Sequence, residues 1–222
     1  MCLKLSWSLS LFFTLSGSTV LAAPAAPLTA TDLYQVQKPT GMQVSPDGQR
    51  AVFSLNRYDL ANNKSNVDLH LLELGSGKQT QLTFHPAADN QPAWSPDGEF
   101  IVARKHFTNT RSLGAGEVWQ YHKSGGSGVM LTEKANDEKD LGEPAFSPDG
   151  KYVYFSQDNT PGNTFHYSKD SEQGIYAIKR FERETGKIDV LLDGAGGAVR
   201  PTPSPDGKKL AYIRRVDFKT TL

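Results

Sequence analysis

Five histidines, His70, His85, His106, His122 and His166, are the side chains best suited to hold a metal or to move a proton at neutral pH. No two are adjacent, and none forms the His-x-His pair that would set two imidazoles on one side of a strand. A serine nucleophile on a strand-to-helix elbow requires Gly-x-Ser-x-Gly. The nearest approach is Gly125-Gly126-Ser127-Gly128-Val129, which lacks the last glycine and has the context of a hairpin turn. Gly194-Ala195-Gly196-Gly197-Ala198-Val199 imitates a dinucleotide loop, but Val199 replaces its third glycine and a strand-like run follows. It reads better as a connection. Asp137-Glu138-Lys139-Asp140 reads as a solvated loop, and Lys179-Arg180 and Arg214-Arg215 as charges on exposed strands. No catalytic, cofactor-binding or metal-binding residue is therefore assigned, and no cofactor is expected in this chain. His106, Arg111 and Tyr121 occupy its most distinctive stretch. They are candidates to line a substrate passage or dock a catalytic domain, against the simpler role of packing between sheets.

The elements that would position these residues are set by a repeat. Ser-Pro-Asp-Gly begins at 45, 95, 147 and 204, so the starts lie 50, 52 and 57 residues apart. A phrase recurring at that period marks one supersecondary unit used several times. Pro presets φ at the second turn position, Asp tolerates the third, and Gly accepts the positive φ that follows. Such a turn closes a bulged hairpin. Behind it run Ala51-Val52-Phe53, Ile101-Val102-Ala103, Val153-Tyr154-Phe155 and Leu210-Ala211-Tyr212, strands apolar on both faces as expected between stacked sheets.

A second hairpin follows in each complete unit. Its strands are predicted at 68–74 and 79–83, at 117–122 and 129–132, and at 175–181 and 188–192. Four strands in about fifty residues is the arithmetic of a propeller blade. The expected fold is all-β: a partial β-propeller of four-stranded antiparallel blades, three complete and part of a fourth. No Trp-Asp dipeptide closes any blade. Propellers close with about four to eight blades, so the chain is expected to be part of something longer. Residues 28–38 are predicted to form a short helix, capped by Thr29 or Thr31, that packs on the rim.

The 24 basic and 24 acidic side chains balance. That argues against a nucleic-acid surface, which needs a basic excess. Lys4, the apolar run from Leu5 to Leu21 and the small residues around Ala22 read as a secretory signal peptide over residues 1–22, with no stable membrane span after its removal. A periplasmic or secreted location follows. Cys2, the single cysteine, lies inside that segment, so the mature chain would hold no thiol. The domain reading is 1–22 signal peptide, 23–40 N-terminal arm with a short helix, and 41–222 incomplete propeller.

The repeated Ser-Pro-Asp-Gly, with Gly-x-x-x-x-Leu-Thr blade endings, resembles the TolB-like (WD40-like) propeller repeat from Gln43 onward. Leu28–Tyr34, Val44–Gly48 and Asn66–Thr83 resemble the propeller start of exported prolyl oligopeptidase family peptidases, over residues from about 28 to 90. From about residue 100 on, Ile101–Phe107, Arg111–Glu117, Gly125–Gly128 and Gly196–Pro203 are similar to the propeller that precedes periplasmic metal-dependent amidohydrolases. The resemblance changes near Trp94–Gly98, as if two related propellers joined at a shared turn. Together these imply a non-catalytic exported propeller, first of an amidohydrolase-type hydrolase, in which it would gate or position a missing C-terminal catalytic domain. The alternatives are the propeller of a serine peptidase, and a module that binds a cell-envelope protein.

Overall fold

A computed structural model describes residues 27–108, 114–137, 139–159, 176–216 and 219–221. The expected signal peptide, Arg111, Glu138 and His166 lie outside the described residues.

The four repeated turns close as their chemistry demands. In the first, Ser45 Oγ donates to Asp47 Oδ1 (2.5 Å) and accepts from Arg50 N (2.9 Å). Asp47 Oδ1 also accepts from Gln49 N (3.0 Å), Gly48 N donates to Ser45 O (2.9 Å), and Gly48 sits at φ +68°. The same set forms around Ser95, Ser147 and Ser204.

Each turn joins the first two strands of a blade. Blade 1 is β1 (Lys38–Val44), β2 (Arg50–Asp59), β3 (Lys64–Glu73) and β4 (Gln79–Gln81). Blade 2 is β5 (Ala88–Trp94), β6 (Phe100–Phe107), β7 (Ala115–His122) and β8 (Val129–Thr132). Blade 3 is β9 (Leu141–Phe146), β10 (Tyr152–Asp158), β11 (Tyr176–Glu182) and β12 (Ile188–Leu192). Blade 4 holds β13 (Val199–Pro203), β14 (Leu210–Val216) and β15 (Lys219–Thr221). Every sheet is an antiparallel meander in chain order, so the all-β partial propeller stands as expected.

The core lies between blades. Val52, Leu69, Leu71 and Leu82 of blade 1 meet Ile101, Ala103 and Tyr121 of blade 2. Val102 and Val118 on the other face of blade 2 meet Leu141, Phe146, Val153 and Phe155 of blade 3. This explains why the second strands are apolar on both faces. Arg183 clamps the second seam, its guanidinium 5.4 Å from the Phe100 ring centre and 5.3 Å from that of Phe146.

Three local expectations differ from the structure. The helix α1 covers only Ala30–Gln35. Thr29 and Asp32 form a capping box at its start, but Pro39 forces Lys38 into extended backbone, and β1 begins there. None of its residues is buried; Tyr34 stacks on Tyr58 at 4.8 Å, and Leu33 stays exposed. The strand predicted from 68 starts at Lys64, lengthening the β2–β3 hairpin. β4 stops at Gln81, because Thr83 turns its hydroxyl onto Leu69 N (2.9 Å) instead of continuing the ladder.

Candidate functional site

The seam between blades 1 and 2 opens at one end into a cleft of about 370 Å³. The start of β3 contributes Asn66, the β4–β5 connection His85 and Pro86, and the end of β6 His106 and Phe107. His85 is held edge-on to Phe107 at 5.7 Å, and its Nδ1 accepts from Ala87 N (2.9 Å). A neutral ring so held presents Nε2–H as its free donor. Asn66 Nδ2 donates to His85 O (2.9 Å) and Asp68 Oδ2 (3.2 Å), which fixes the amide. Its Oδ1 is buried and meets no donor. The cleft thus offers the His85 donor at its surface, while Asn66 Oδ1 lies beneath it, closed off from solvent.

Beneath the cleft lies a buried polar cluster. Asp89, Lys105 and Glu117 occupy one row across β5, β6 and β7. Asp89 is fully buried; its Oδ1 accepts from Tyr121 Oη (2.7 Å), and its Oδ2 meets no partner. Lys105 Nζ sits 3.7 Å from the Trp119 ring centre, and Trp119 Nε1 donates to Glu117 Oε2 (2.8 Å). Asp68 accepts from Thr83 Oγ1 at 3.4 Å. Burial, helped by the Asp89 charge, pushes Asp68 up to about 6. Burial also raises Asp89, and it lowers His70 to about 4.

These shifts fix a sign. Asp68 holds its proton more tightly folded than unfolded, so its contribution favours the fold at low pH and is lost as pH rises through about 6. His70 acts oppositely: its contribution is present above the ordinary histidine value and lost as pH falls toward about 4. Asp68→Asn keeps an acceptor for Asn66 and faces Thr83 with an amide donor in place of an acceptor, while removing the buried charge. Its melting temperature is expected to exceed that of the parent at neutral pH. The gain should shrink on acidification below the folded Asp68 value, because the parent carboxyl is then already neutral. Parallel thermal melts across that range check it; a gain independent of pH contradicts it.

A second arrangement rings the inner strands. Every first strand carries a register shift with one residue in the left-handed region: Gly41 (φ 62°), Gln91 (53°), Glu143 (56°) and Arg200 (59°). The three side chains link blade to blade. Gln91 Oε1 accepts from Glu143 N (2.8 Å). Glu143 Oε2 accepts from Arg200 N (2.8 Å) and Ser156 Oγ (2.8 Å), while its Oε1 takes Arg200 Nε (3.1 Å). Sequence reading missed these residues. The available signal is positional: each stands four residues before the serine of a Ser-Pro-Asp-Gly. A further tie joins blades 2 and 3, where Asp140 Oδ1 accepts from Arg104 NH2 (2.6 Å) and Gly116 N (2.8 Å).

The residues singled out from sequence are scattered. His106 does line the cleft. Tyr121 does not line a passage: it is 2% exposed and packs between blades, because its hydroxyl is spent on Asp89. His70 is buried against Phe53 (5.9 Å), with Nδ1 3.0 Å from Gln79 Nε2. His122 Nδ1 accepts from the backbone of Ser124 (3.2 Å), not its hydroxyl, and Nε2 lies 3.6 Å from Glu99. Ser127 sits in the β7–β8 hairpin turn. Among the described residues, no three His, Cys, Asp or Glu side chains come together in a metal-holding group. Among the same residues no helix is long and apolar enough to cross a membrane.

No family model matches the chain. An uncharacterized protein of Agrobacterium fabrum is 28% identical over 174 residues, covering 77% of this chain and 53% of that protein. An uncharacterized peptidase of Bacillus subtilis, YuxL, is 28% identical over 208 residues, covering 83% of this chain and 31% of the peptidase. The chain thus spans about half of one curated relative and a third of the other. Among solved structures, a putative TolB from Agrobacterium tumefaciens aligns with a TM-score of 0.54 and 26% identity, covering 77% of this chain and 56% of that one. A puromycin-hydrolyzing peptidase of Mycobacterium tuberculosis aligns with a TM-score of 0.59 at 16% identity, covering 86% and 28%. That last likeness is one of fold. The chain shares the propeller architecture of TolB and of peptidase propellers.

Proposed function

We propose that this chain is the non-catalytic propeller portion of a larger exported hydrolase of the peptidase class. In that role it admits substrate to, and positions, a catalytic domain carried elsewhere on the polypeptide. The observation that carries this reading is the match to a named peptidase along most of this chain but under a third of that protein's length. The site is consistent with it: the cleft presents the His85 imidazole, and His122 is engaged by a backbone nitrogen rather than by a serine hydroxyl. The N-terminal apolar segment supports export to the periplasm or medium. A metal-dependent amidohydrolase is the second reading, favoured by the words from Ile101 to Pro203.

A fluorophosphonate probe applied to the native polypeptide tests both. Labelling of a serine outside residues 1–222, with peptidase turnover lost in step, is the expected result. Activity lost to a chelator without labelling supports the second reading. A labelled serine within 1–222, or turnover by residues 27–222 alone, overturns the proposal.

A further inference from the structure

The repeated turn places an aspartate before a glycine four times, at Asp47-Gly48, Asp97-Gly98, Asp149-Gly150 and Asp206-Gly207. Among aspartyl bonds Asp-Gly is the most open to cyclisation, since glycine has no Cβ to shield its nitrogen. In that reaction the glycine nitrogen attacks Cγ of the protonated carboxyl. A C–N bond forms, the C–OH bond breaks, and water leaves with the amide proton. The resulting succinimide takes up water at its α-carbonyl and opens to isoaspartate, which inserts an extra backbone carbon into the turn. Four such bonds make the phrase a chemical liability as well as a structural convenience.

All four turns share a geometry that opposes each step. The nucleophile is committed: the glycine N–H donates to the serine carbonyl at 2.9, 2.9, 2.9 and 2.8 Å in chain order. The electrophile is committed too. One carboxylate oxygen accepts from the serine hydroxyl at 2.5, 2.5, 2.6 and 2.6 Å, and from the backbone nitrogen two residues on at 3.0, 3.0, 3.1 and 3.1 Å. Chiefly through the serine hydroxyl, these bonds hold each carboxyl below its ordinary range. The protonated acid that must lose hydroxide is correspondingly scarce. The serine is itself fixed, because its oxygen accepts from the backbone nitrogen five residues on at 2.9 Å in every blade.

We propose that the serine of each Ser-Pro-Asp-Gly turn is a chemical guard, whose hydroxyl keeps the neighbouring aspartate from closing on the glycine nitrogen and so preserves the Asp-Gly bond of that turn. The Asp-Gly bonds are then latent modification sites, each unmasked by loss of one hydroxyl. This role goes beyond the peptidase reading and does not depend on it.

The test compares the full chain with Ser95→Ala and Ser95→Thr during prolonged incubation at physiological temperature and neutral pH. Isoaspartate is mapped by peptide mass spectrometry and by enzymatic methyl transfer from S-adenosylmethionine. A charge-assisted hydrogen bond is lost in the alanine variant, so isoaspartate at Asp97 is expected to form about tenfold faster than in the parent. Asp47, Asp149 and Asp206 in the same molecules should be unchanged, and Ser95→Thr should restore protection. Urea-unfolded parent gives the unguarded rate at all four sites. No rise at Asp97 overturns the proposal, and so does a uniform rise at all four, which reports lost folding instead. Folded parent reacting as fast as the unfolded chain overturns it as well.

Discussion

Gly116→Ala is expected to destabilise the propeller by about 3 kcal/mol, at the upper end of overpacking costs. An added Cβ would stand 2.2 Å from the backbone oxygen of Leu141, with Arg104 Nε at 2.6 Å and Arg104 Cγ at 2.9 Å. The arginine stem can rotate, but the carbonyl belongs to β9 and cannot yield without moving that strand. Leu141 is 1% exposed and belongs to the core shared with Val102, Val118 and Phe155. Shifting it breaks the bond from Arg104 Nε to Leu141 O (3.0 Å) and the one from Gly116 N to Asp140 Oδ1. Urea denaturation of the parent and the variant measures the loss. Gly75→Ala is the control, because its Cβ would meet nothing within 4 Å. Equal midpoints for Gly116→Ala and the control would contradict the argument.

Glu143→Ala is expected to cost about 2 kcal/mol, the worth of hydrogen bonds to a partly buried charge. Two donors lose their acceptor, Arg200 Nε and Ser156 Oγ, and Arg200 N is left with only its 3.0 Å bond to Ser156 Oγ. The Arg200 side chain is 69% exposed and recovers water, so the penalty falls chiefly on Ser156, which is 2% exposed, and on Arg200 N, which is reduced from two acceptors to one. Arg200→Ala should therefore cost much less than Glu143→Ala. Glu143→Gln, which keeps an acceptor, should recover much of the loss. Amide hydrogen exchange supplies a local reading: Arg200 N–H should exchange faster in the alanine variant, while the seam between blades 1 and 2 stays protected. Equal losses for Arg200→Ala and Glu143→Ala would refute this division.

The scaffold was legible because its signals are local. Proline, aspartate and glycine at fixed turn positions close a hairpin whatever surrounds them, and Val52, Val102 and Val153 announce strands covered on both sides. What stayed hidden depends on partners far along the chain. Tyr121 carries no mark of its bond to Asp89, 32 residues away in sequence. Nothing in the neighbourhood of Asp89 says that its carboxylate is fully enclosed. Gly41, Gln91, Glu143 and Arg200 share no side-chain chemistry at all. They share a backbone conformation, which a search for like residues passes over. The helix ends at Gln35, short of the expected residue 38, because Pro39 outweighs the apolar residues before it. The cleft escaped notice because Asn66, His85 and His106 come from three elements of two blades.

The inner ring also carries information about order. The seams are built to one plan, but each is closed by different side chains: an amide receives Glu143, and a carboxylate receives Arg200. An arginine in place of Glu143 would set two guanidinium groups together where a cation now meets an anion. Transposing whole blades is therefore not a neutral permutation, even though their turns are interchangeable. The wheel has addresses as well as spokes, and copying a unit by gene duplication yields a working neighbour only once that single position has diverged to suit the one beside it.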